Sequence, residues 1–305
     1  MLLEQTLELL APRGAENLMF DLTLGEGGHA HAFLSRFPDL SLVGVDADGD
    51  IQAIAARRLS RFSGRVEFYR GRAQDFLSSY PAGKKRPNVI LADLGISVRH
   101  YEKSGRGFSF SGDEPLDMRI DPSSGIPAWR LLKTMSEREI ADTLYMNADE
   151  KYSRRIARAI VRERQLGTVA TNSALTEIIK RAVPASYRHG RLHPATRTFL
   201  ALRIAVNGEL AALPDLLEAG LRILEPCGRL GIISFHSKED RIVKNFFKTK
   251  NMSCTCPPRM PSCRCGGRTV RILAGKGVVP DGEEIERNPP SRSARLRVIE
   301  KIKDA

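Results

Sequence analysis

The chain of 305 residues has no uncharged apolar stretch near the roughly 18 residues that a membrane-spanning helix requires. Glu4 and Glu8 stand where a secretory signal would be basic. Both absences argue against a membrane partner and for a cytoplasmic protein. There is no internal repeat and no low-complexity tract, so an apolar content of 42% belongs to one large globular domain or two of ordinary size. Cysteine is sparse, at five residues, and a reducing compartment makes disulfides a poor expectation. Cys254-x-Cys256 and Cys263-x-Cys265 could hold a tetrahedral zinc, with free thiols in a Pro- and Gly-rich loop as the alternative. Acidic residues are scarcest between Lys151 and Arg203, where Glu163 and Glu177 face twelve Lys or Arg. That one segment carries +10 of the chain's net +12, the footprint of a polyanion site unless it is only a solvated helical face.

What is present is organised around residues 18–29, Leu-Met-Phe-Asp-Leu-Thr-Leu-Gly-Glu-Gly-Gly-His. An apolar run ending at Asp21 predicts a buried strand, and Gly25, Gly27 and Gly28 let the backbone turn sharply against a ligand before a helix begins. A second apolar run ends in Asp46, a carboxylate placed to accept hydrogen bonds from two ribose hydroxyls if the strands are parallel neighbours. Gly25-x-Gly27-x-x-Ala30 also satisfies a dinucleotide pattern, so a nicotinamide-dependent oxidoreductase stands as one reading and an adenosine-type ligand as the other.

Along the chain, residues 3–10 and 50–59 read as helices, 66–69 as a third strand, 73–79 as a short helix and 89–92 as a fourth strand ending at Asp93. Strands alternating with helices predict an α/β fold with a parallel sheet covered on both faces. Gly27, Asp46 and Asp93 should then converge beyond the carboxyl ends of the strands, although a carboxylate there can instead cap the next helix. Residues 94–127 read as a long functional loop. Ser136 with Glu139 forms a capping box, Ser153 is placed to cap a basic helix to Arg164, and another helix ends at Pro184. One long helix is expected from Pro194 to about Leu213, a further one over 215–224, and a fifth strand over 230–235. Leu296 and Val298 alternate with Arg295 and Arg297 as in a half-buried edge strand.

Taken together, these motifs resemble one family closely, the bacterial small-subunit rRNA cytidine N4-methyltransferases, or RsmH/MraW family. The resemblance rests on Asp21-x-Thr23-x-Gly25-x-Gly27-Gly28-His29, Asp93-Leu94-Gly95-Ile96-Ser97, Arg106-Gly107-Phe108-Ser109-Phe110 and Pro115-Leu116-Asp117-Met118-Arg119. It continues through His193-Pro194-Ala195-Thr196-Arg197, Ile233-Ser234-Phe235-His236-Ser237 with Glu239-Asp240-Arg241, and Asn288-Pro289 with the run from Ser291 to Arg297. It implies a class I, Rossmann-like methyltransferase sheet, discontinuous over 1–115 and 205–305, that binds S-adenosylmethionine, with an inserted all-helical substrate domain over 116–204. It also implies the substrate, the N4 amine of a P-site cytidine of 16S rRNA in the small ribosomal subunit.

By that resemblance Gly25, Gly27, Gly28, His29, Asp46 and Asp93 contact the cofactor. His100 stands where the family has Gln, and Val98 where it has a second Ser. The family's aromatic after the third strand aligns with Ala73, with Phe76 nearby, and its N-terminal His-x-Pro segment is absent, which points to a shortened start. Asp93 and then Ser97 are the expected acceptors for the amine. Arg154, Arg155, Arg158, Arg162, Arg188, Arg191, His193 and Arg197 are expected on the RNA. Phe108, Phe110 or Phe235 could receive a base swung out of its stack, or serve as core packing. His236 could touch substrate or fix a loop. A catalytically silent RNA-binding assembly factor is the rival from another class, and a homo-oligomer stays open.

Overall fold

A computed structural model describes residues 1–14, 16–167, 169–254, 256, 264 and 267–304. They form two compact units, Met1–Gly95 with Ala212–Ala305, and Ile96–Ala211. The first is built on a sheet of strands β1 (Asn17–Asp21), β2 (Leu40–Asp46), β3 (Val66–Arg70), β4 (Val89–Asp93), β5 (Arg229–Ser234), β6 (Val270–Ile272) and β7 (Arg295–Lys301). Their order among the described residues is β3-β2-β1-β4-β5-β7-β6. β1 to β5 pair in parallel, while β7 runs antiparallel between β5 and β6. The α/β class expected from the alternating pattern is the one observed.

Each central strand is apolar on both faces, which is why the sequence reads there as short continuous runs. Phe20, Val43, Val45, Ile90, Leu230 and Ile232 pack on one face with Phe76, Leu217 and Phe247. Met19, Leu42, Leu91, Ile233, Leu296 and Val298 pack on the other with Phe33, Leu34, Ala55 and Leu59. Helices therefore sandwich the sheet, and every strand loop at its carboxyl edge is free to carry function.

The reading of residues 295–298 as a half-buried edge strand is corrected. β7 lies inside the sheet and is buried nearly throughout. Its charged residues are tolerated there because each has a partner elsewhere. Arg297 donates to both carboxylate oxygens of Asp240 at 2.7 and 3.1 Å, and Lys301 Nζ donates to the carbonyls of Leu221 and Leu224 at 2.7 and 2.8 Å. Glu300 accepts from Arg229, Arg13 and Arg271. The edges are instead β3, with Glu67 and Phe68 exposed, and the three-residue β6, too short to give a sequence signal.

The second unit is all helical, with Ile140, Leu144, Ile156, Ile160, Leu175, Ile179 and Phe199 in its core. Phe108, Leu116 and Met118 enter the same core, so the unit reaches from Ile96 to Ala211 where 116–204 was expected. The stretch read as loop also holds a short helix, Val98–Lys103. Ser136 and Glu139 do form the capping box, Glu139 N–H donating to Ser136 Oγ at 3.2 Å and Ser136 N–H to Glu139 Oε2 at 2.7 Å. Ser153 does not cap: Tyr152 occupies the N-cap and Ser153 is the buried first residue of helix Ser153–Arg164. The single helix expected to Leu213 is two, Thr196–Asn207 and Glu209–Ile223. Gly208 adopts φ 65° between them, and Pro214 is accommodated in the second helix. Among the described residues no helix is long and apolar enough to cross a membrane.

Glu300 offers a test of the buried network. Its side chain is 9% exposed and that of its partner Arg229 8%. Glu300→Gln should lower the unfolding free energy by about 2–3 kcal/mol, read from the denaturant midpoint, because a buried guanidinium loses its counter-charge. An unchanged midpoint would mean that the Arg229 bond to the Leu9 carbonyl is sufficient.

Candidate active site

The site is built where β1, β2 and β4 end. Beyond Asp21 the chain is still held by its neighbouring strands, Leu22 N–H donating to Leu91 O and Leu24 N–H to Val45 O, before it turns. Gly25 and Gly27 follow in left-handed conformations, φ 53° and 76°. A Cβ on Gly27 would also stand 3.3 Å from that of Ala55, so both conformation and space call for glycine. Helix Gly28–Arg36 then starts, with His29 in its first turn.

Asp46 locks this turn. One of its carboxylate oxygens accepts Gly25 N–H at 2.8 Å and the other Asp48 N–H at 2.9 Å, tying the end of β2 to the glycine loop. Asp48 in turn caps helix Gly49–Arg58 through the N–H groups of Asp50 and Ile51. Asp93 N–H donates to Thr23 Oγ1 at 2.6 Å, and Thr23 N–H to Asp21 Oδ1 at 3.3 Å. Asp21, Thr23 and Asp93 are thus linked in series.

Burial makes these carboxyls unusual. Asp21 is 2% exposed, and burial pushes its pKa up to about 7; the Thr23 N–H opposes this, while the charges of Asp93 and Asp46 add to it. Burial likewise raises Asp93, with the amino terminus and the Gly95 N–H opposing. Burial, with the charge of the amino terminus adding to it and the Met1 main chain opposing, lowers His29 to about 3, so its imidazole is neutral at physiological pH. His29 Nε2 lies 3.9 Å from Asp93 Oδ2, beyond hydrogen-bonding distance. Asp93 Oδ1 and both ring nitrogens of His29 are buried without a hydrogen-bond partner among the described residues. Buried polar atoms are rarely left so; three at one strand edge are the mark of a site prepared for a polar ligand.

β5 contributes the far wall. Phe235 lies over Gly95, where a Cβ would come within 2.7 Å of its ring, so Gly95 is needed for this approach. His236 caps helix Ser237–Lys250, its Nδ1 accepting Glu239 N–H at 3.4 Å, while Glu239 Oε2 accepts the N–H groups of Phe235 and His236 at 2.9 and 3.3 Å. These contacts let His236 fix the start of that helix. Asp21 and Glu239 were not singled out from the sequence, although both lie inside motifs that carried the resemblance. Phe76, the nearby aromatic after β3, is buried against Phe20, Tyr69 and Tyr80 as core.

Gly25, Gly27, Gly28, His29, Asp46, Asp93, Phe235 and His236 therefore belong to the sheet unit. The remaining expected residues belong to the helical one. Ser97 caps helix Val98–Lys103, accepting Arg99 N–H at 3.2 Å, and His100 is buried edge-on against Phe108, itself 4% exposed and so a core residue. Arg154, Arg155, Arg158, Arg162, Arg188 and Arg191 are exposed. Arg197 is partly buried and donates to the Asp149 carbonyl at 3.1 Å. Arg164, which shares the basic helix, turns inward to the carbonyls of Leu132 and Met135. Cys254 and Cys256 lie close, Cys256 N–H 3.4 Å from Cys254 Sγ, while Cys263 and Cys265 are outside the described residues.

Residues 1–302 match the model of the MraW methylase family. The chain belongs to that family. Ribosomal RNA small subunit methyltransferase H of Treponema denticola is 53% identical over 303 residues, covering 99% of this chain and 96% of its own. The proteins of the same name from Geotalea uraniireducens and Syntrophobacter fumaroxidans are each 44% identical, over 301 and 304 residues, covering 98% and 99% of this chain and 96% and 95% of theirs. Membership in a methylase family removes the nicotinamide reading of Gly25-x-Gly27-x-x-Ala30.

The Asp21 carboxyl makes stability depend on pH. A carboxyl whose folded pKa is raised holds its proton in the native state after the unfolded chain has lost its own, so its contribution is greatest below pH 4 and declines as pH rises to about 7. Asp21→Asn, which keeps an acceptor for Thr23 N–H, should be more stable than the parent at pH 8 by on the order of 2–4 kcal/mol and indistinguishable from it near pH 4. Parallel denaturant curves at the two pH values decide this.

Proposed function

We propose that this protein transfers a methyl group from S-adenosylmethionine to the exocyclic N4 amine of a P-site cytidine in 16S rRNA of the small ribosomal subunit, in the cytoplasm. The observation that carries the proposal is the buried, unpartnered Asp93 Oδ1 at the carboxyl edge of a methylase sheet, beside the unpartnered nitrogens of His29. The names carried by the relatives, small-subunit rRNA methyltransferases, support the substrate class. The exposed arginines of the helical unit support a polyanion.

The residues present fit an adenosine-type ligand. Gly25, Gly27 and Gly28 leave its approach open, Asp46 is the acceptor for ribose hydroxyls, and His29 and Asp93 offer buried polar atoms; His100 is the further contact carried by the family resemblance. When bound, S-adenosylmethionine supplies an electrophilic methyl group on a sulfonium. The protein must prepare the other partner, because the cytosine amine is a poor nucleophile whose lone pair is delocalised into the ring. Asp93, as acceptor of an amine N–H, concentrates electron density on nitrogen and holds it in line for attack. Ser97 is the second acceptor. Arg154, Arg155, Arg158, Arg162, Arg188 and Arg191 neutralise RNA phosphates, with His193 and Arg197 on the same substrate and Phe235 and His236 beside the reacting base.

The first test is transfer of labelled methyl to small subunits from unmethylated cells, followed by nucleoside digestion. Label in N4-methylcytidine is expected. Label in another nucleoside would overturn the target, and none despite tight cofactor binding would favour a catalytically silent assembly factor. Asp93→Asn should slow transfer on the order of 100-fold. Normal cofactor affinity together with the parent rate would remove Asp93 from the chemistry.

Salt dependence tests the basic helix. Replacing Arg154, Arg155, Arg158 and Arg162 together by Ala should flatten the slope of log affinity for subunits against log salt by about 3, since each phosphate contact contributes about 0.7–0.9. An unchanged slope would take the helix off the RNA.

A further inference from the structure

Phe110 is an exposed aromatic ring held in an ordered position. It is 36% exposed, yet its ring lies parallel to that of His193, centroids 4.3 Å apart and planes 8° apart. Phe199, buried, meets it edge-on at 6.1 Å and 90°. The loop that carries it is clamped from beneath by Asn172, which is fully buried. Asn172 Nδ2 donates to the carbonyls of Ser109 and Ser111 at 2.7 and 3.1 Å, and its Oδ1 accepts Glu114 N–H at 2.8 Å. His193 is fixed in its turn, with Nδ1 accepting Ala195 N–H at 3.3 Å. Burial lowers its pKa, and the neighbouring Lys180 adds to the effect while Glu177 opposes it.

An exposed ring usually moves. Here a buried amide, a capped imidazole and a perpendicular phenyl hold a partly exposed aromatic stack. Lys180 and Arg181 stand in the last turn of the helix that supplies Asn172, and Arg188 and Arg191 lie in the segment just before His193. A rigid aromatic surface among cations is the pattern that takes an unstacked base with its phosphates alongside. A partner protein would need a wide apolar patch around the ring; Lys180 and Glu177 stand near His193, and Leu192 beside it in the chain is exposed.

We propose that the Phe110–His193 stack is a platform on which one unpaired base of the rRNA stacks, a contact separate from the methyl-transfer chemistry. The proposal deepens the rRNA methyltransferase reading and rests on it. The test compares Phe110→Leu, Phe110→Ala and Phe110→Trp with the parent in equilibrium binding to small subunits from unmethylated cells, at one salt concentration. The aliphatic variants should bind about 5- to 100-fold more weakly, and the Trp variant within about twofold of the parent, since every base stacks on an aromatic face. Phe110→Leu fills nearly the same volume, and its thermal midpoint confirms folding. Parent-like binding by a folded Phe110→Leu overturns the platform.

A photoreactive benzoylphenylalanine at position 110 gives an independent answer. Covalent attachment to an rRNA nucleotide supports the platform, and attachment to ribosomal protein alone overturns it. Methyl transfer by the parent, measured on the same subunits, reports separately on the reading beneath. Failure of transfer with an aromatic-dependent affinity would sink the enzyme while keeping the platform.

Discussion

The carboxyl edge of the sheet depends on one carboxylate, Asp46, which accepts a main-chain N–H from the glycine turn and another from the start of the next helix. A glycine-rich turn has many conformations available, and the entropy lost in fixing one is larger for glycine than for any other residue. Two charge-assisted hydrogen bonds from a single side chain offset that cost and tie β1 to β2 at the depth where the ligand would sit. The neighbouring packing is fitted to the same geometry. Gly44 lacks a side chain because Leu24 lies over it, where a Cβ would come within 2.8 Å.

Around that clamp the protein buries more acid than its stability would favour. Asp21 and Asp93 lie at adjacent strand ends, are desolvated together and repel one another when charged. A fold selected for stability alone would replace them with apolar or amide side chains. Their raised pKa values keep protons on them above the usual carboxylate range, and a positive charge brought beside them would draw those protons off. The neutral imidazole of His29, 3.9 Å from Asp93, supplies no counter-charge.

The basic character of the helical unit divides by role in a way that charge counting hides. Arg164 and Arg197 are partly consumed in holding main-chain carbonyls. Arg154, Arg155, Arg158 and Arg162 line the exposed face of the helix whose apolar face is buried by Ile156, Ala157 and Ile160. One amphipathic helix thus anchors the core and presents the cations. Such a division suits a partner recognised by its backbone charge, with aromatic contacts supplying what charge cannot.

The sequence by itself determined the sheet class, the first four strands and the convergence of Gly27, Asp46 and Asp93, because parallel strands buried on both faces leave short apolar runs that stop where polar function begins. It also determined the capping box at Ser136, a purely local device. Tertiary structure decided what depends on distant partners. The burial of β7 needed Asp240, Arg229 and the carbonyls at the end of helix Glu209–Ile223, none of which is near it in the chain. The break at Gly208, by contrast, is a local glycine cap that the helical pattern on either side concealed. The raised pKa of Asp21, the orphaned oxygen of Asp93 and the stacking of Phe110 on His193 arise from desolvation and from contacts between distant segments, and no local pattern encodes either.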